Sequence, residues 1–294
     1  MNQLDGDPDP LAEVLGLLDL DAGGSADTFL AGHSAMALAH GHVFGGLVAA
    51  QATVAAYRTV APDRPMHSLH AYFLHRGDPG VPIELHVDRT RDGRAISHRR
   101  VSAIQHGRPI MELSCSFAVP EPGLSHQRAM PVVPEPDELE ADVLTLAATP
   151  DPDGSPTRFG PFELRSAGTH SRIARDRGER TEVSRTWFRA HHTVPDDPAL
   201  HRALLVYASD MTVLDATTRP SGLAMGAGDV LPASLDHAVW FHADLRTDAW
   251  FLVDAESPWA GDGRGLARAH VFDAAGTLVA GIAQEGLIRL PGAR

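Results

Sequence analysis

Hydrophobic positions along the chain follow two rhythms, and the switches between them divide it into segments. Asp9 and Pro10 open a stretch running to Leu20 with apolar residues at helical spacing, which predicts a short amphipathic helix docked on the body. Thr28–His33 reads as a strand ending in a turn. From Gly41 to Tyr57 the texture changes. After Val43-Phe44-Gly45-Gly46 the run from Leu47 to Ala56 is apolar on nearly every side, the mark of a helix surrounded by protein. From Met66 the rhythm becomes two. Ser68–Leu74 forms one strand, and Ile83, Leu85 and Val87 then alternate with Glu84, His86 and Asp88. Asp92-Gly93 supplies a hairpin turn, followed by a strand from Ala95 to Ile104 and a turn at His106-Gly107. Met111, Leu113, Cys115 and Phe117 alternate with polar neighbours, so Cys115 shares the apolar face as a buried packing residue.

Prolines between Pro120 and Pro156, interspersed with Asp and Glu, predict a linker crossing the surface, with a short helix from Asp137 to Leu146. Beyond it the first pattern is played again. Phe162–Arg165 and Val183–Phe188 are strands, and Asp197-Pro198 is a helix start. Leu200, Ala203, Leu204, Tyr207, Met211 and Leu214 then trace one apolar stripe. Strands at Ser234–Phe241, Trp250–Val253, Leu266–Phe272 and Leu278–Ile288 complete the half, with a turn at Ala275-Gly276. Phe73 and Phe241, Gly93 and Gly261, Arg100 and Arg268, and Gly107 and Gly276 recur at offsets of 168 or 169 residues, which suggests a duplication. The expected fold class is α+β, a double hotdog: each half a long buried helix wrapped by an antiparallel sheet, the two sheets joined edge to edge. The expected units are residues 1–119, a linker over 120–157, and residues 158–294.

Composition narrows the functions. A chain of 294 residues, 43% hydrophobic and 21% charged, has the make-up of an ordinary globular protein. Its net charge of −13 argues against nucleic acid and anionic membrane as partners. One cysteine and an acidic N-terminus without an apolar run suit the cytoplasm. No nucleophile elbow, P-loop, dinucleotide fingerprint or zinc-protease motif is present, and His40/His42 and His191/His192 lack metal-ligand spacing, so no metal and no cofactor are expected. His67, His70, His75, His237 and His242 read as strand and rim residues. Arg76, Arg99 and Arg100 read as solvated strand arginines, with phosphate contact open as a second role.

What stands out is polarity where burial is expected. Asp210 lies at the edge of its helix's apolar stripe or within it, either a solvated flank residue or a carboxylate tuned for chemistry. Gln284 keeps step with Ala280 and Ile282, and Ser234 opens a strand just after Pro232. Asp210, Ser234 and Gln284 are therefore candidates to meet and hold a water molecule. Gly45 and Gly46 allow close approach at a helix N-terminus, whose free N–H groups suit a partial negative charge, although tight helix–sheet packing explains glycines there equally well.

Gly41-His42-Val43-Phe44-Gly45-Gly46, the run Met66 to Leu74, Arg91-Asp92-Gly93, the run Arg99 to Gly107, Tyr207-Ala208-Ser209-Asp210, the run Leu235 to His242 and Gln284-Glu285-Gly286 together resemble the type II acyl-CoA thioesterase family, the TesB-like double-hotdog enzymes. The similarity runs from about Gly41 to Arg289. It implies an acyl-CoA substrate, a homo-oligomer (dimer or tetramer), and a hydrolytic water bound by Asp210, Ser234 and Gln284, with release of free fatty acid and coenzyme A. Asp210 is then the general base. Gly45 and Gly46 are placed to meet the carbonyl oxygen with backbone N–H groups. Leu47 stands where the family often has Gln, Leu74-His75-Arg76-Gly77-Asp78 replaces its Arg-Pro pair, and Ser234 keeps only the hydroxyl of the family's Thr. These departures bear on acyl specificity and leave the water site intact. Two other readings are a hotdog dehydratase or hydratase, and a non-hydrolytic acyl-CoA or acyl-carrier binding protein.

Overall fold

The computed structural model describes residues 9–32, 37–38, 41–142, 160–225 and 227–292. His33, His40, Pro150, Pro152, Pro156 and the Val143–Leu146 part of the expected linker helix lie outside these.

Helix α1 (Pro10–Leu18) starts where Asp9 accepts the Leu11 N–H at 3.0 Å, with Pro at its first turn. Strands β1 (Asp21–Ala22) and β2 (Thr28–Ala31) follow, then a two-stranded ribbon of β3 (Ala37–Leu38) and β4 (His42–Val43). Helix α2 (Gly45–Tyr57) is buried from Gly46 to Ala56, as its unbroken apolar run predicts. The meander β5 (Met66–Phe73), β6 (Ile83–Asp92), β7 (Ile96–Gln105) and β8 (Arg108–Ala118) wraps it. The β7–β8 turn needs two left-handed residues, and His106 (φ 51°) with Gly107 (φ 71°) provides them.

The second half contributes β9 (Phe162–Ser166), a short helix α3 (Ser171–Asp176) that the apolar pattern does not predict, and β10 (Val183–Ala190). Helix α4 (Pro198–Thr212) is capped by Asp197, which accepts the Ala199 N–H at 2.8 Å. Strands β11 (Leu231–Ser234), β12 (Asp236–Phe241), β13 (Phe251–Gly261), β14 (Arg264–Asp273) and β15 (Leu278–Arg289) complete it. The expected single strand Ser234–Phe241 is broken at Leu235. That residue stays paired: its N–H donates to Glu285 and its carbonyl accepts from Phe73.

The sheet order is β1-β2-β6-β7-β8-β5-β12-β15-β14-β13-β10-β9, with β11 paired to β15. Reading outward from the centre, β5-β8-β7-β6 on one side mirrors β12-β15-β14-β13 on the other, the pseudo-twofold arrangement of a double hotdog. The seam is the antiparallel β5–β12 pair, with Leu69 opposite Val239 and Ser68 opposite Trp240. Beneath it α2 packs against α4, so residues of the two halves meet at one place.

The described part of the connection, before residue 143, packs on the outside of the second half. Met130, Val133 and Leu139 pack on buried Trp187, Leu252 and Phe272, and the Trp187 indole donates to the Pro134 carbonyl at 3.1 Å. Within the expected linker helix, the described part holds only a 3₁₀ turn at Pro136–Glu138. Among the described residues no helix is long and apolar enough to cross a membrane.

Candidate active site

Asp210 sits in the last turn of α4, Ser234 ends β11, and Gln284 lies on the inner face of β15, fully buried beside Ile282. Their side chains meet directly. The Gln284 amide Nε2 donates to Asp210 Oδ1 at 2.5 Å and to Ser234 Oγ at 3.0 Å, and the Ser234 hydroxyl donates to the same Asp210 oxygen at 3.2 Å. The Gly46 backbone amide, at the N-terminus of α2, lies close enough to the carboxylate to favour its ionised form. Asp210 from the second half is thus held against the first helical turn of the first half.

Asp210 is partly buried, and protein packs closely around its carboxylate. Removal of its hydration pushes its pKa from 3.8 up to about 6, against the lowering pull of the Gln284, Ser234 and Gly46 donors. No cation is among the groups that set this value. A desolvated carboxylate held by hydrogen bonds with no cation among them keeps its proton to a higher pH than a solvated one.

Gly45 and Gly46 are required by this contact. A Cβ on Gly45 would lie 2.8 Å from the Phe73 ring and 3.2 Å from Asp210 Oδ2. One on Gly46 would lie 2.6 Å from the Phe44 ring and 3.0 Å from Asp210 Cβ. The first turn of α2 and the carboxylate are thus in close contact, with the Gly46 amide favouring the ionised form.

Two other residues depart from expectation. His237, taken for a strand or rim residue, is fully buried on β12, its Nε2 2.8 Å from Ser209 Oγ. The signal was present in the sequence: His237 keeps step with Val239 and Phe241, the inward positions of the same strand. Arg99 is neither solvated nor available to a phosphate. It is buried, and its guanidinium donates to Thr59, Arg91, His98 and Asp92. Arg100 is exposed and paired with Glu112, and Cys115 is buried with its thiol pushed up to about 12.

A double hotdog in which a carboxylate from a central helix meets an amide and a hydroxyl from the sheet defines the class. Models of the acyl-CoA thioesterase N-terminal and C-terminal domains match residues 33–118 and 136–288. Human acyl-coenzyme A thioesterase 8 is 36% identical over 261 residues, covering 84% of this chain and 81% of the relative. The crystal structure of acyl-CoA thioesterase II TesB2 from Mycobacterium marinum is 36% identical, with a TM-score of 0.78 over 95% of this chain and 99% of that one. A hot dog fold protein from Alicyclobacillus acidocaldarius, 20% identical with a TM-score of 0.76 over 95% of this chain and 98% of its own, shares the fold. The chain belongs to the acyl-CoA thioesterase family.

Proposed function

We propose that this protein hydrolyses acyl-CoA thioesters to free fatty acid and coenzyme A by direct attack of water, with Asp210 as general base. The observation that carries the reading is the contact of Asp210 with Gln284 and Ser234 beside the α2 N-terminus, in surroundings that raise its pKa to about 6. A water seated on Oδ1 or Oδ2 exchanges one of the direct bonds for its own and is shared with the Ser234 hydroxyl and the Gln284 amide. Asp210 takes its proton as the oxygen attacks the carbonyl carbon, and the thiolate of coenzyme A leaves. Negative charge on the carbonyl oxygen is met by the Gly45 and Gly46 N–H groups at the helix N-terminus. The Gly46 donor has a reason to move. As Asp210 is neutralised its hold on that N–H weakens, just when charge grows on the carbonyl oxygen. No covalent enzyme intermediate is required.

A panel of acyl-CoA substrates with free-thiol detection tests the activity. Asp210→Asn is expected to keep the fold and lose at least about 100-fold in kcat. In the parent enzyme kcat/KM is expected to rise with pH through about 6 and level off above it, because the base acts only when ionised. An Asp210→Asn enzyme at near-parental speed removes Asp210 from the mechanism, and hydration of an enoyl-CoA without thiol release favours a hydratase. The units over 1–119 and 158–294, a homo-oligomer (dimer or tetramer) and a cytoplasmic setting complete the proposal. Exposed Tyr72 and Trp240 on the outer face of the seam suit self-association, and a single buried cysteine suits a reducing compartment.

A further inference from the structure

Two buried polar atoms near the site have no hydrogen-bond partner: Gln284 Oε1 and His237 Nδ1. Extending the β12–β15 register from Ala238 opposite Ala283 places His237 directly across from Gln284, both on the inner face. Buried and unpaired on facing strands, each atom is the partner the other lacks. The Gln284 amide has two N–H bonds, and they are directed at Asp210 and Ser234. Its oxygen is left for the histidine. The reverse orientation sets the amide oxygen 2.5 Å from the carboxylate, an oxygen-on-oxygen contact that an ionised Asp210 repels.

We propose that His237 is a positioning residue for the hydrolysis, acting as its Nδ1–H tautomer to donate to Gln284 Oε1 and so hold the amide N–H groups on Asp210 and Ser234. The far side of the ring fits. Ser209 Oγ lies 2.8 Å from His237 Nε2 and 3.0 Å from the Val206 carbonyl. A neutral imidazole with its proton on Nδ1 presents a lone pair at Nε2, and in this arrangement the single Ser209 hydroxyl proton turns to it from the Val206 carbonyl, to which it otherwise donates. The chain Ser209 to His237 to Gln284 to Asp210 then has one donor and one acceptor at every contact, and it begins and ends on neighbouring residues of α4. Burial keeps the ring neutral, with a pKa of about 4, throughout the range in which Asp210 ionises.

The proposal rests on the hydrolytic reading, and its test has one arm independent of turnover. Long-range ¹⁵N NMR of histidine-labelled protein, with His237 assigned by its loss in His237→Asn, is expected to show a neutral Nδ1–H ring from pH 5 to 8. An Nε2–H ring overturns the proposal whatever the enzyme does. In kinetics, His237→Leu is expected to lower kcat roughly 10- to 100-fold with little change in KM. His237→Asn, whose amide nitrogen stands near the Nδ1 position, is expected to recover most of that loss. The double variant His237→Leu/Gln284→Ala is expected to be no slower than Gln284→Ala alone, since the histidine acts through the glutamine. Additive losses, or no recovery by Asn in a folded variant, overturn it. If Asp210→Asn proves active while the ring is the Nδ1–H form, the hydrolytic mechanism fails and the hydrogen-bond assignment stands.

Discussion

Burying a carboxylate among donors that carry no charge leaves a mark on stability as well as on chemistry. The folded-state pKa of Asp210, about 6, lies above its ordinary 3.8, so the native state holds the proton more tightly than the unfolded chain does. The stabilising contribution is complete below about pH 3.8 and is lost as pH rises through 6. A shift of about two pK units corresponds to about 3 kcal/mol at pH 8. Asn at this position needs no ionisation and still offers an acceptor to Gln284 and Ser234. Asp210→Asn is therefore expected to be more stable than the parent by about 1–3 kcal/mol at pH 8, with the difference reduced to about a third at pH 4.5. Urea unfolding at the two pH values measures it. His237, whose pKa is lowered to about 4, pulls the other way, its contribution lost as pH falls from 6.5, but it is common to both proteins and cancels in the difference. An equal gap at both pH values shows that Asp210 is not desolvated.

At the scale of elements, the site depends on how closely α2 and α4 approach. Phe44 and Tyr207 fix the approach, their rings edge to face with centroids 5.0 Å apart, and Gly46 fits between Phe44 and Asp210. Gly46→Ala is expected to push the first turn of α2 off the carboxylate, costing about 1–3 kcal/mol through overpacking and at least about tenfold in kcat. Gly93→Ala is the control. Its Cβ would crowd the Ile96 carbonyl at 2.8 Å in a distant hairpin, so it should destabilise without a comparable loss of kcat. The elements themselves were legible because their rhythms are strong: the all-round apolar run of α2, the capped stripe of α4, and alternation through β6 to β8. Gln284 was legible by the same alternation. His237 is equally in phase on β12, and that phase alone places it inside. Helix α3, six residues rich in charge, has no stripe to recognise. Met130, Val133 and Leu139 are too scattered among prolines to announce that the linker packs on Trp187.

For the molecule as a whole, the duplication raises the question of whether the halves fold separately. Chains of this length commonly unfold in more than one step. Here the sheet runs unbroken through the β5–β12 seam, α2 packs on α4, and one core contains Leu69, Leu113, Val206 and Val239. The chain also supplies its own reporter. All four tryptophans, Trp187, Trp240, Trp250 and Trp259, belong to the second half, and among the described residues only Trp240, whose ring meets His70 across the seam, touches the first in a ring contact, so their fluorescence follows chiefly that half while far-ultraviolet circular dichroism follows both. Leu113 is fully buried on β8 in the first half, and Leu113→Ala is expected to cost about 2–5 kcal/mol. If the halves form one cooperative unit, that substitution lowers the tryptophan midpoint in urea as much as the dichroism midpoint, although none of the tryptophans lies in the half that was changed. A tryptophan transition left in place while the dichroism curve splits in two shows that the second half stands without the first. Asp210 would then sit on a unit that folds alone, while its partner Gly46 is lost with the other.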